Sequence, residues 1–341
     1  MKKICLMRLS AIGDVCHAAA MVNRIQRHWP DTEITWVIGK IEYQLVRLMP
    51  NIRFVVYDKK EGKEGVKRLK AMLADTVFDA LLVMQVALRA NLVSTAIKAK
   101  RRIGFDWHRS KELHWLFTNQ RISARKHAHV LDGFMGFADA LGVPKDAAPQ
   151  WHIPLDHEAK KWAAAQAKEL GQFVIISPAA SKQERSWLPE RYARIVEHLF
   201  SKSMPVVLCG GPGKLDKQTA EAILSHTDSV ARNYVGETSL HQLQALIKHA
   251  RLVIAPDTGP AHMATTVGTP VVGLYAHSNP RRTGPYNDLG RVVSVYDECV
   301  RRQYGKNWET LPWGIRAKGE HLMEKISEQA VIDQLARLLE H

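Results

Sequence analysis

Apolar residues fall into short runs that alternate along the chain with amphipathic stretches. Positions 4–9 read as a strand, 10–13 as a small-residue loop, and 14–28 as a helix with one apolar stripe. Further strand-like runs at 34–38, 54–57 and 80–84 alternate with helical segments at 43–48, 64–73 and 90–98, and a further helix ends near Gly142. The stretch 143–156 holds three prolines and little periodicity, so it reads as a linker. The rhythm then restarts, with strands at 173–177, 205–209, 252–255 and 271–275. Helices are predicted at 189–201, after Gly213, and at 240–249, 260–267 and 323–339.

Strand–helix alternation of this kind favours parallel sheets covered on both faces. The pattern predicts an α/β protein of two Rossmann-like, doubly wound domains, 1–155 and 156–322, with a terminal helix (323–341) packing back toward the first domain. Ligands of such folds sit beyond the carboxyl ends of the strands, so the chemistry is expected in an interdomain cleft.

Charge narrows the choice of partner. The formal net charge is +14, and basic residues crowd into 59–70, 98–111, 121–129 and 301–306. Three of these clusters lie in the first half, which points to a positive face for nucleic acid, anionic lipid headgroups or a phosphorylated glycolipid. No apolar run is long enough to span a membrane and positions 1–8 do not read as a signal peptide, so a cytosolic location is expected. Cys5, Cys16, Cys209 and Cys299 are far apart, without metal-ligand or disulfide spacing.

Four loops could carry chemistry. Ser10-Ala11-Ile12-Gly13-Asp14 joins the first strand to the first helix; Asp14 either caps that helix or stands as a base at the domain opening. In Asp257-Thr258-Gly259-Pro260, a helix start offers free N–H groups to an anion, and His262 lies one turn further on. Ser181 and Arg185 add a hydroxyl and a cation before another helix. Gly210-Gly211-Pro212-Gly213-Lys214 follows a strand but matches neither a dinucleotide nor a Walker pattern. No Asp-x-Asp pair occurs, so no metal site is expected, and charge on a departing diphosphate would fall to Arg185, His262, hydroxyls and helix dipoles.

The segments from Arg8 to Asp14, from Arg185 to Pro189, from Gly236 to Leu240 and from Ala255 to His262 together resemble the lipopolysaccharide heptosyltransferases of glycosyltransferase family nine. The segment from Ile103 to Trp107 is similar to the enzyme adding the first heptose. The resemblance implies a GT-B fold and an inverting, metal-independent transfer from ADP-heptose to Kdo on lipid A, at the cytoplasmic membrane face. It implies Asp14 as general base and Arg185 as the cation on the diphosphate, where the family often has Lys. Gly13, Ser181, Asp216, Thr238, Ser239, Asp257, Thr258, Gly259 and His262 would join Arg185 around the donor. Ser10, Lys63, Arg89, Arg109, Lys111 and His127 would grip the phosphates and carboxylates of the acceptor. Neither a cofactor nor an obligate protein partner is implied, and nucleic acid is not expected. The rival readings are another GT-B sugar-nucleotide enzyme with a different donor or acceptor, and a non-catalytic polyanion-binding module.

Overall fold

The computed structural model describes residues 2–339 and divides the chain into two compact units at Pro154/Leu155. Unit 1 contains β1 (Lys3–Arg8), α1 (Ile12–His28), β2 (Glu33–Gly39), α2 (Lys40–Val46), β3 (Ile52–Tyr57) and α3 (Gly62–Met72). It continues through β4 (Phe78–Val83), α4 (Leu88–Ser94), β5 (Ala99–Gly104), β6 (Gln120–Arg121) and α5 (Val130–Leu141). Its six strands run parallel in the order β3-β2-β1-β4-β5-β6. The chain reverses its winding between β1 and β4, which opens a crevice at their carboxyl ends. The start of α1, bearing Asp14, and the loop bearing Gln85 lie at that point.

Unit 2 opens with α6 (His157–Leu170), β7 (Val174–Ile176), α7 (Pro189–Ser201), β8 (Val206–Leu208), α8 (Lys214–Ser225), β9 (Ala231–Asn233) and α9 (Leu240–His249). Next come β10 (Leu252–Pro256), α10 (Gly259–Val267), β11 (Val271–Tyr275), α11 (Pro280–Thr283), β12 (Val293–Ser294), α12 (Tyr296–Tyr304) and α13 (Glu328–Leu339). The parallel order is β12-β11-β10-β7-β8-β9, so winding reverses between β7 and β10. Loops carrying Arg185 and Thr258 leave that switch point. The central strands are buried throughout, as parallel strands covered by helices on both faces must be.

Several expectations are corrected. The terminal helix, expected to pack back toward the first domain, instead buries Val331 and Leu335 of α13 in the unit 2 core with Trp187, Val196 and Leu274. The helix expected over 90–98 stops at Ser94, where Ser94 Oγ and Thr95 Oγ1 bond to the carbonyls of Asn91 and Leu92. The chain then enters β5, concealed in sequence by Lys100, Arg101 and Arg102. These arginines are absorbed structurally. Arg102 donates to the carbonyls of Phe117, Ile97 and Ser94 and to Ser94 Oγ, and Arg101 to Gln120 and the Ala140 carbonyl. The basic run at 98–111 is therefore only partly a positive face. Nor is 143–156 a free linker, because Arg24 bonds the carbonyls of Val143 and Pro144, and Trp151 Nε1 bonds that of Cys16 at 2.9 Å. α6, β6, β9, β12 and α12 are elements additional to those predicted.

Candidate functional site

At the carboxyl edge of unit 1, Asp14 stands in the first turn of α1. Its Oδ2 accepts from the Ala11 N–H at 3.4 Å and from the Arg8 guanidinium. Both the capping and the ion pairing therefore fall on one oxygen. Oδ1 accepts nothing among the described residues, and the side chain is 30% exposed. Arg8 also donates to the Met84 carbonyl and lies over the Phe134 ring, 5.3 Å from its centroid, so the carboxylate rests on a well-anchored cation. Gly13 is buried in the same turn. Gln85, after β4, fixes the neighbouring loop: Oε1 accepts from the Leu9 N–H at 2.9 Å, and Nε2 donates to Ser10 Oγ at 3.3 Å. Neither Arg8 nor Gln85 has a role legible in the sequence alone, since the partners of Gln85 lie 75 and 76 positions away.

The expected acceptor residues follow β1, β3, β4, β5 and β6, at the same edge. Lys63, Arg89 and Lys111 are exposed, and Arg89 donates to the Lys59 carbonyl. His127 is half-buried. Arg109 has a structural duty as well, because it pairs with the buried Asp106 and packs against Gly133. Withdrawing it would strand a buried carboxylate.

In unit 2, the carboxyl edge gathers polar atoms that lack protein partners. Arg185 donates from its terminal nitrogen to Ser181 Oγ at 2.5 Å, but its Nε is buried and unbonded. The hydroxyls of Thr238 and Thr258, and Nε2 of His277, are likewise buried without a hydrogen-bond partner among the described residues. These four side chains follow β7, β9, β10 and β11 respectively. An unmade buried hydrogen bond costs about 1–3 kcal/mol, so these four groups hold unused hydrogen-bonding capacity at one sheet edge. Thr258 is the N-cap of α10 and Gly259 its first residue, which adds unbonded helix N–H groups and the positive dipole end.

Other expected donor residues have internal duties. Ser239 caps α9, with Oγ accepting from the Gln242 N–H at 3.1 Å and its own N–H donating to Gln242 Oε1 at 2.9 Å. Asp216 Oδ1 accepts from the Gly211 N–H at 2.9 Å and closes the glycine loop. Asp257 Oδ2 accepts from Ser278 Oγ at 2.8 Å and Thr283 Oγ1 at 3.2 Å, while its Oδ1 faces His262 Nε2 at 3.8 Å. Burial raises the Asp257 pKa, but the neighbouring His262, the Ser278 hydroxyl and the Arg316 charge together hold it below the ordinary 3.8. Asp257 thus orients His262. Ser278, Thr283 and Arg316 were not legible locally, since they meet Asp257 only through the fold.

A stability test follows from that depressed value. The ionised form is favoured by folding, so its contribution is fully present above 3.8 and is lost as pH falls through the lower folded-state value. Asp257→Asn should unfold more readily than the parent at neutral pH. Denaturant titrations should show this gap narrowing as the medium is acidified below 3.8.

Burial pushes the thiols of Cys5, Cys16, Cys209 and Cys299 upward, which makes them inert packing groups. No group of His, Cys, Asp and Glu among the described residues has the arrangement of a metal site. No helix among them is long and apolar enough to cross a membrane. A cavity of about 370 Å³ lined by Gly171, Lys248, Arg251, Gly268 and Pro270 opens at the amino-terminal edge of the unit 2 sheet, away from the loops above.

Comparison with known proteins matches this arrangement to a family. Residues 66–309 match glycosyltransferase family 9 (heptosyltransferase). The chain is 46% identical to the lipopolysaccharide core heptosyltransferase OpsX of Haemophilus influenzae, over 99% of this chain and 97% of that protein. It is 27% identical to lipopolysaccharide heptosyltransferase 2 of Salmonella typhimurium, over 99% and 98% of the two chains. Among solved structures, the family 9 glycosyl transferase of Veillonella parvula superimposes with a TM-score of 0.79 at 23% identity, covering 100% and 98%. The E. coli heptosyltransferase WaaC with ADP gives 0.75 at 17% identity, covering 98% and 99%. The two parallel six-stranded sheets are those of the GT-B fold. The chain therefore belongs to glycosyltransferase family 9, the heptosyltransferase family, and is a glycosyltransferase.

Proposed function

We propose that this enzyme transfers heptose from ADP-heptose to a Kdo hydroxyl of the lipopolysaccharide inner core, adding the first heptose with inversion at the anomeric carbon. The observation that carries the donor half is the set of unpartnered polar atoms on Arg185, Thr238, Thr258 and His277 at the helix-start edge of unit 2. Thr258, the Gly259 N–H, Arg185 and Ser181 take the diphosphate in this reading, and His262, oriented by Asp257, adds a further donor. The relatedness to a lipopolysaccharide core heptosyltransferase supports the choice of sugar and glycolipid.

The chemistry is a single displacement. Asp14 Oδ1 takes the proton of the attacking hydroxyl as its oxygen bonds the anomeric carbon, and the bond to the ADP oxygen breaks with both electrons leaving on the diphosphate. The negative charge that develops there is met by Arg185 and the α10 dipole. Lys63, Arg89 and Lys111 supply cations for the phosphates and carboxylates of a Kdo-lipid A acceptor at the cytoplasmic face of the membrane.

A coupled assay of ADP release tests this reading, using ADP-heptose with heptose-free lipopolysaccharide from defined Kdo backgrounds. Release dependent on both substrates is expected, and it should be unchanged by excess EDTA, because cationic side chains and helix dipoles carry the leaving-group charge. No turnover with ADP-heptose, alongside turnover of a UDP- or GDP-sugar, would replace the donor assignment. Turnover abolished by EDTA and restored by a divalent cation would replace the metal-independent mechanism.

A further inference from the structure

Leu88 and Leu92 lie four positions apart on α4 and are exposed by 39% and 54%. Beside them, Leu113, Trp115 and Leu116 are exposed by 51%, 43% and 58%, and Trp107 by 60%. These residues belong to one locality. Asn91 of α4 bonds His114 at 2.7 Å, the Leu88 N–H bonds Glu112 at 2.6 Å, and the Trp107 and Trp115 rings are 6.2 Å apart. His114 is fully buried between its exposed neighbours, so the short turn is pinned by its polar residue while its large apolar side chains face outward. Glu112 and Leu113 hold positive φ values of 49° and 60°, an uncommon conformation for a leucine.

Cations border this apolar surface. Arg121 stacks over Trp107 at 3.9 Å, and Arg89 and Lys111 adjoin the two leucine-bearing segments. Exposed tryptophan and leucine beside lysine and arginine form the side-chain mixture suited to a membrane–water interface. A second copy of the chain is a poor occupant, because two molecules of charge +14 repel each other. We propose that the surface formed by Leu88, Leu92, Trp107, Leu113, Trp115 and Leu116 seats unit 1 on an anionic phospholipid bilayer. The leucines and tryptophans enter the headgroup boundary while the neighbouring cations meet lipid phosphates. This extends the reading of a lipid-anchored acceptor but does not depend on it, since the test contains no lipopolysaccharide.

The test is flotation of the full-length chain with phosphatidylcholine vesicles, with and without phosphatidylglycerol. Binding to the phosphatidylglycerol vesicles is expected, weakening as salt is raised. The Leu92→Ser/Trp115→Ser/Leu116→Ser variant should lose at least about tenfold in vesicle affinity, because three apolar side chains no longer leave water. Its ADP affinity should match the parent's. Tryptophan emission of the unaltered chain should also be quenched by brominated acyl chains, a readout that requires no folded variant. Equal flotation with neutral and anionic vesicles would overturn the proposal. So would unchanged binding by the folded triple variant, absence of quenching, or failure to float combined with self-association that the serine substitutions abolish.

Discussion

Asp14→Asn should lower kcat by about 10²–10⁴-fold, the usual contribution of a positioned general base, while ADP-heptose affinity stays near that of the parent. The alternative role for Asp14 is as a cap, and the two roles differ in magnitude. A first-turn carboxylate contributes about 0.3–1 kcal/mol to its helix, which moves the melting temperature a few degrees and leaves turnover alone. In the structure the capping and ion-pair contacts converge on Oδ2, leaving Oδ1 for a substrate proton. Asparagine retains an oxygen able to accept from Arg8 or Ala11 but cannot carry away a proton. Arg8 keeps the Met84 carbonyl and the Phe134 ring as partners, so the variant should remain folded. Near-parental turnover with intact donor binding would reduce Asp14 to a cap.

Arg185→Ala should cost about 10²–10³-fold in kcat, the scale seen when one preorganised donor to a developing anion is removed. Arg185→Lys should recover part of this, because it restores the charge without the planar fork. The guanidinium is already held by Ser181, with Nε buried and unbonded, so it is set in place before any ligand arrives. Preorganisation of that kind favours the departing diphosphate over the bound ground state, so kcat should fall more than donor affinity. Steady-state kinetics with ADP-heptose as the varied substrate would separate these effects. Equal loss of affinity and no change in kcat would make Arg185 a binding residue only.

The alternation of elements that defines the two sheets was readable in sequence because parallel strands are buried on both faces and announce themselves as apolar runs. β5 escaped notice for the opposite reason. Its Arg101 and Arg102 look like a surface cluster, yet their guanidiniums cap carbonyls of neighbouring turns, a pairing that only the fold creates. The terminal helix was visible as a periodic segment, but periodicity does not say which domain receives its apolar face.

The site divides in a similar way. The strand-to-helix positions of Asp14, Arg185, Thr258 and Gly259 were legible because such turns have a marked grammar of glycine, proline and capping residues. Ser239 obeys the same grammar but spends its hydroxyl on its own helix, so the pattern cannot separate a cap from a ligand contact. Arg109, read as an acceptor cation, also pairs with a buried aspartate three positions away, a contact that its place in a basic cluster does not announce. His277 and Gln85 have no local signature, and their places emerge when distant strands are set side by side.

The central claim is that buried polar groups at the carboxyl edge of unit 2 are completed by the donor diphosphate. Calorimetric titration of ADP into the parent and into Thr258→Val tests it most directly, because valine keeps the shape and removes a hydroxyl that has no partner among the described residues. ADP affinity should fall at least about fivefold while the melting temperature holds or rises, since an unsatisfied buried group is gone. Unchanged ADP affinity in a folded Thr258→Val protein would contradict the account.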